Sequence, residues 1–194
     1  MKRYLLPVAL FLAMAAFAGC GKKDNAAQPE ASASLPDGFI LKAAPEKPLS
    51  VLEAKAAAKD GERITITGRV GGTKRAINDT RALFTIADTT LLACDSMGAG
   101  DHCPTPWDYC CEDPDKLKAG LATIKVVGAD GKPLAVNLTN ALGLKPLQTA
   151  VITGIAEIRA DDGALVIRAD GIFSPESVKP NAARAAEPSG CCPH

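Results

Sequence analysis

Arg63-Ile-Thr-Ile-Thr-Gly-Arg-Val70 and Thr149-Ala-Val-Ile-Thr-Gly-Ile-Ala-Glu-Ile158 are the stretches whose reading decides the fold. The first has the period-two rhythm of a half-buried strand, and the second reads as a further strand region with the same Ile-Thr-Gly phrase. The first puts Ile64, Ile66 and Val70 on one face and predicts a bulge or bend at Gly68. Working outward, residues 82–87 and 90–94 read as a second strand region broken near Asp88, and residues 121–127 as a third. Gly128-Ala-Asp-Gly-Lys-Pro133 turns the chain into residues 134–138, and Asp161-Asp162-Gly163 turns it into residues 165–169 and 171–173. Upstream, Ser50-Val-Leu-Glu53 is a capping box, which predicts a helix over about residues 50–59, halted by Asp60-Gly61. One short helix followed by about five strands with mid-strand glycines predicts a mostly β chain. It favours a small antiparallel barrel over a sandwich.

The element order, the Thr67-Gly68-Arg69-Val70 opening and the late Val151-Ile-Thr-Gly154 strand resemble the oligonucleotide/oligosaccharide-binding (OB) fold over roughly residues 60–173. The nearest pattern is that of exported bacterial members, including the tRNA-anticodon-binding-like group. The resemblance implies a five-stranded barrel with its ligand face on the middle strands and the loops beside them. It implies no particular ligand, since function resides in sites grafted on folds.

The chain opens with Lys2-Arg3, an apolar run from Leu5 to Phe17, and Ala18-Gly19-Cys20. An apolar run of this length is too short to stay in a bilayer as a spanning helix. The segment resembles a bacterial lipoprotein signal, with Phe17-Ala18-Gly19-Cys20 as its lipobox. That resemblance implies cleavage after residue 19, lipidation of Cys20 and anchorage in the bacterial cell envelope; Gly21 after the anchor favours the outer membrane. Residues 20–47, rich in Ala, Lys, Pro and Ser, read as a disordered tether. Residues 48–173 read as the OB-like domain, and residues 174–194 as a disordered tail.

Without residues 1–19, the chain carries 20 Lys and Arg against 22 Asp and Glu. A nucleic-acid-binding surface generally appears as a strongly basic domain, so nucleic acid is not the expected partner. The basic residues Arg69, Lys74, Arg75 and Arg81 read as a solvated loop. Paired catalytic carboxylates, Ser-His-Asp spacing, phosphate loops and dinucleotide fingerprints are missing, so no enzyme activity is expected. Aromatic residues make up only 4% of the chain, so the core must rest on Val, Ile, Leu and Ala and would gain from staples.

Chemistry concentrates in residues 94–116, an insertion containing Cys94, His102, Cys103, Trp107, Tyr109, Cys110 and Cys111. The tail adds Cys191 and Cys192, with His194 at the end. Three readings stay open. In an oxidising compartment six thiols read first as disulfides, with connectivity undetermined. The same thiols with His102 also form a donor pool for zinc or copper(I), although gaps of nine, seven and one residue do not match the usual zinc spacing. A reducible vicinal pair at Cys110 and Cys111 would allow envelope redox chemistry, though nothing in the sequence supplies an activated thiol. Trp107 and Tyr109 read either as a plug pinning the insertion to the barrel or as a stacking platform for a ligand. The expectation is a non-catalytic binding or scaffolding module in the envelope, with a thiol-based metal binder and a redox protein as alternatives.

Overall fold

The computed structural model describes residues 34–96 and 103–175. Cys20, the lipobox, His102, Cys191, Cys192 and His194 lie outside these described residues. Among the described residues six strands and three α-helices follow in order: β1 (Leu49–Ser50), α1 (Val51–Ala57), β2 (Arg63–Val70), β3 (Leu83–Ala87), α2 (Pro114–Ala119), β4 (Leu121–Lys125), α3 (Leu138–Leu142), β5 (Thr149–Ile158) and β6 (Leu165–Phe173). Strand order runs β2-β3-β4-β6-β5, and β5 returns to pair with β2, closing a five-stranded barrel. This is an OB-like barrel. The barrel is mixed rather than purely antiparallel as expected: β4 and β6 run parallel, with Ile124 opposite Ile167. Antiparallel neighbours can be joined by short hairpins, whereas this parallel pair is reached by way of α3 and β5.

Period two builds the core as anticipated. Ile64, Ile66 and Val70 of β2 point inward beside Phe84 and Ile86, Ile124, Ile152, and Leu165 and Ile167, all buried. Gly68 carries no bulge; a Cβ there would lie 2.7 Å from the Ala87 carbonyl, so glycine lets β3 cross close to β2. The irregularity falls between Thr153 and Gly154, which pair with Gly171 and Ala169 and leave Asp170 as the extra residue. Gly154 is required there, because a Cβ would come within 2.3 Å of the Arg168 carbonyl.

The capping box at the start of α1 forms in full: Ser50 Oγ accepts from the Glu53 N–H, and Glu53 Oε2 accepts from the Ser50 N–H. Two expected strands are absent. Residues 90–94 cannot extend β3, because the Asp88 carboxylate accepts from Thr90 N–H and Oγ and bends the chain. Residues 134–138 form no strand: a bridge from Val127 to Pro133 precedes them, and the Leu134 N–H donates to the Val126 carbonyl before Asn137 caps α3.

Composition also misassigns the segment before β1. Phe39 is buried in the barrel core and Leu35 packs on it. The Ile172 N–H donates to the Phe39 carbonyl and the Leu41 N–H to the Ile172 carbonyl, both at 2.8 Å, so residues 39–41 run beside β6. Two large apolar side chains suffice to dock a segment whose average composition is polar, and the packed domain therefore begins before residue 48.

Candidate metal centre

The cysteine-rich insertion joins β3 to β4 and carries its own small core, in which Tyr109 packs with Ala87, Leu91, Ala93, Leu117, Leu121 and Leu147. Two 3₁₀ turns, Cys94–Ser96 and Pro106–Asp108, shape it. After the second, Tyr109 adopts the left-handed conformation (φ 58°). This conformation is costly for a residue with a Cβ, and here it reverses the chain so that the ring goes inward. Asp113 then accepts from the N–H groups of Asp115 and Lys116, opening α2 with Pro114 in its first turn.

The loop is seated on the end of β2. The Gly72 N–H donates to the Trp107 carbonyl at 2.8 Å, and Trp107 Nε1 donates to the Lys74 carbonyl at 3.2 Å. At Gly71, a Cβ would sit 2.8 Å from both the Trp107 carbonyl oxygen and Tyr109 Cε2, so only glycine permits this approach. Arg69, assigned by sequence to a solvated loop, reaches across to Asp95 Oδ2 at 2.9 Å. Glu112 Oε2 accepts from the Leu92 N–H and ties the two limbs of the insertion together.

This scaffold gathers donors that are distant in sequence. Sulfur atoms of Cys94, Cys103 and Cys110 and a carboxylate oxygen of Asp108 all lie within 4.8 Å of one another. Cys94 and Cys110 are 3.5 Å apart, Cys103 and Cys110 3.8 Å, and Cys110 and Cys111 3.8 Å. None of these is the roughly 2.05 Å of a disulfide. They match the edge of a tetrahedron around zinc, about 3.8 Å for a Zn–S bond of about 2.3 Å. The cluster can hold a metal ion.

Burial disfavours a thiolate at Cys94, yet hydrogen bonds from the Cys111 N–H and the thiols of Cys110, Cys111 and Cys103 outweigh it and lower its pKa. Cys110 moves the opposite way, held protonated by its bonds to Cys94, Cys103, Asp108 and Cys111. Burial likewise works against the Asp108 carboxylate. The Thr105 hydroxyl at 2.8 Å, the Cys110 N–H at 3.0 Å, the Cys110 thiol and the nearby Lys74 charge prevail and keep it ionised. A thiophilic cation binding here would displace the thiol protons.

Of the residues singled out in sequence, Cys94, Cys103, Cys110 and Cys111 come together. Trp107 is half-buried against the barrel core, while Tyr109 is fully buried in the insertion core and its hydroxyl lacks a hydrogen-bond partner. Asp108 was missed. Its only sequence signal was a carboxylate two residues before Cys110, and one acid among many on a surface is not distinctive. The gaps between cysteines do not foretell their convergence, because spacing rules describe short knuckles, whereas here tertiary seating of a long loop brings the sulfurs together.

Fold and cluster together define a class: a small OB-like barrel with a thiol-rich insertion able to hold a metal ion. No protein-family profile matches the chain. No curated protein matches it either. Solved structures similar to it include that of the hypothetical protein ygiW from E. coli, at 15% sequence identity and a TM-score of 0.36, covering 73% of this chain and 95% of that one. The assignment of the fold rests on strand order and closure.

Proposed function

We propose that the protein is a cell-envelope lipoprotein, anchored through Cys20, whose OB-like barrel presents a zinc-binding site made by Cys94, Cys103, Asp108 and Cys110. The observation that carries this reading is the mutual approach of three sulfurs and one carboxylate oxygen within 4.8 Å. Three thiolates with one oxygen suit Zn²⁺, which accepts both donor types; Cu(I) would use the sulfurs and leave Asp108 aside. The lipid bilayer, not nucleic acid, is the partner the lipobox implies. The role is binding rather than catalysis.

The test is elemental analysis of the mature protein purified under reducing conditions. One equivalent of zinc is expected, lost in Cys94→Ser. Absence of zinc from the reduced wild type after dialysis against excess metal would reject the site. In a separate experiment, Cys20→Ser should move the protein from the membrane to the soluble envelope fraction.

A second reading draws on the shortest sulfur distance. Without metal, an oxidising envelope would join Cys94 to Cys110, whose sulfurs are 3.5 Å apart. Intact mass with and without reductant separates the bonded form from free thiols.

A further inference from the structure

We propose that Cys111 is a reserve ligand of this centre, exchanging with Asp108 so that the bound cation can be passed to another thiol without losing four-coordination. The inference rests on the metal reading above and extends it from storage to transfer. Four donors lie within 4.8 Å of one another, as many as a tetrahedral ion needs, and a fifth thiol, Cys111, borders two of them. The Cys111 sulfur is 3.8 Å from that of Cys110, and its thiol reaches Cys94 as well, so it borders the same sulfur that anchors the cluster.

Burial is graded across the donors. Cys94 is buried, Cys103 and Asp108 are half-buried, and Cys110 and Cys111 are exposed. The cation would therefore be held from the protein side and open to an incoming ligand on the side where Cys111 stands. A carboxylate oxygen is the weakest of the four donors for a thiophilic cation, which makes Asp108 the one to leave.

In the exchange, the metal–oxygen bond to Asp108 breaks as a metal–sulfur bond to Cys111 forms. The Cys111 proton passes to the freed carboxylate or to water, and no electrons are transferred. An acceptor thiolate, from a partner protein or a small thiol, then displaces Cys110 or Cys111 from the exposed side.

Cobalt(II) in place of zinc reports the number of bound thiolates through the intensity of its sulfur-to-metal charge-transfer absorption. The reduced wild type should show three thiolates, Asp108→Ala four, and the double variant Asp108→Ala/Cys111→Ser three again. Passage of Zn²⁺ to a chromophoric chelator should be about tenfold slower in Cys111→Ser than in wild type, a barrier increase of about 1.4 kcal/mol. The melting temperature of the metal-free protein serves as a control for folding. A three-thiolate spectrum in Asp108→Ala, or an unchanged transfer rate in Cys111→Ser, would overturn the reserve-ligand role while leaving the metal site intact. A wild type that binds neither cobalt nor zinc would instead remove the site itself.

Discussion

Substituting Gly71 by alanine should separate the insertion from the barrel. The new methyl group would lie 2.8 Å from the Trp107 carbonyl oxygen and 2.8 Å from Tyr109 Cε2. Neither can retreat easily: the carbonyl accepts the Gly72 N–H, and the ring is fully buried. Overpacking of this kind costs about 1–3 kcal/mol, and loss of the Trp107–Gly72 hydrogen bond adds about 1 kcal/mol. The least costly escape is for residues 103–111 to lift off β2, since the β2–β5 ladder does not depend on them. The barrel should then remain folded while the donor cluster loses its preformed shape. If 2–3 kcal/mol of that strain passes into metal binding, affinity falls about 30- to 150-fold. Zinc competition titration measures the affinity, and far-ultraviolet circular dichroism with a thermal melt follows the barrel. Unchanged affinity together with an unchanged melting temperature would refute the claim that close approach at Gly71 seats the site.

Three further outcomes are expected. Asp88 is fully buried and binds the Leu52 N–H at the start of α1 through Oδ2 and Thr90 through Oδ1. Burial opposes its ionisation, but these bonds prevail and its pKa is lowered. The associated stability is present above the unfolded value near 3.9 and is lost as pH falls through the lower folded value. Asp88→Asn should therefore cost about 1.5–3 kcal/mol at neutral pH, and denaturant melts should show a shallower loss of stability than wild type below about pH 4. Phe39→Ala should cost about 3–5 kcal/mol by chemical denaturation, whereas a true spacer would tolerate it with no effect. Gly154→Ala should prevent folding or strongly reduce stability, because backbone atoms of Arg168 and Ala169 stand within 2.9 Å of the added carbon; native-like melting would show that the bulge can move.

The strands β2 and β5 and the helix α1 were legible because their signals are local. Alternation places Ile64, Ile66 and Ile152 inward whatever lies around them, and Ser50 and Glu53 cap one another within a single turn. Residues 90–94 have strand-forming side chains yet make no strand, since the buried carboxylate of Asp88, two residues before Thr90, claims the Thr90 N–H. Phe39 was hidden for a similar reason: composition averages a segment, while one side chain filling a core position is enough to dock it.

The chain alone determined that there would be a β domain with aliphatic strands and an insertion in which four cysteines crowd together. It could not determine that β4 and β6 lie parallel, that Asp108 joins Cys94, Cys103 and Cys110, or that Gly71 and Gly72 are the seat of the insertion. Periodicity and capping act over a few residues and are written directly in the order of side chains. A donor set spanning residues 94–110 depends on where a loop folds back against a barrel, and that is decided only when distant surfaces are buried together.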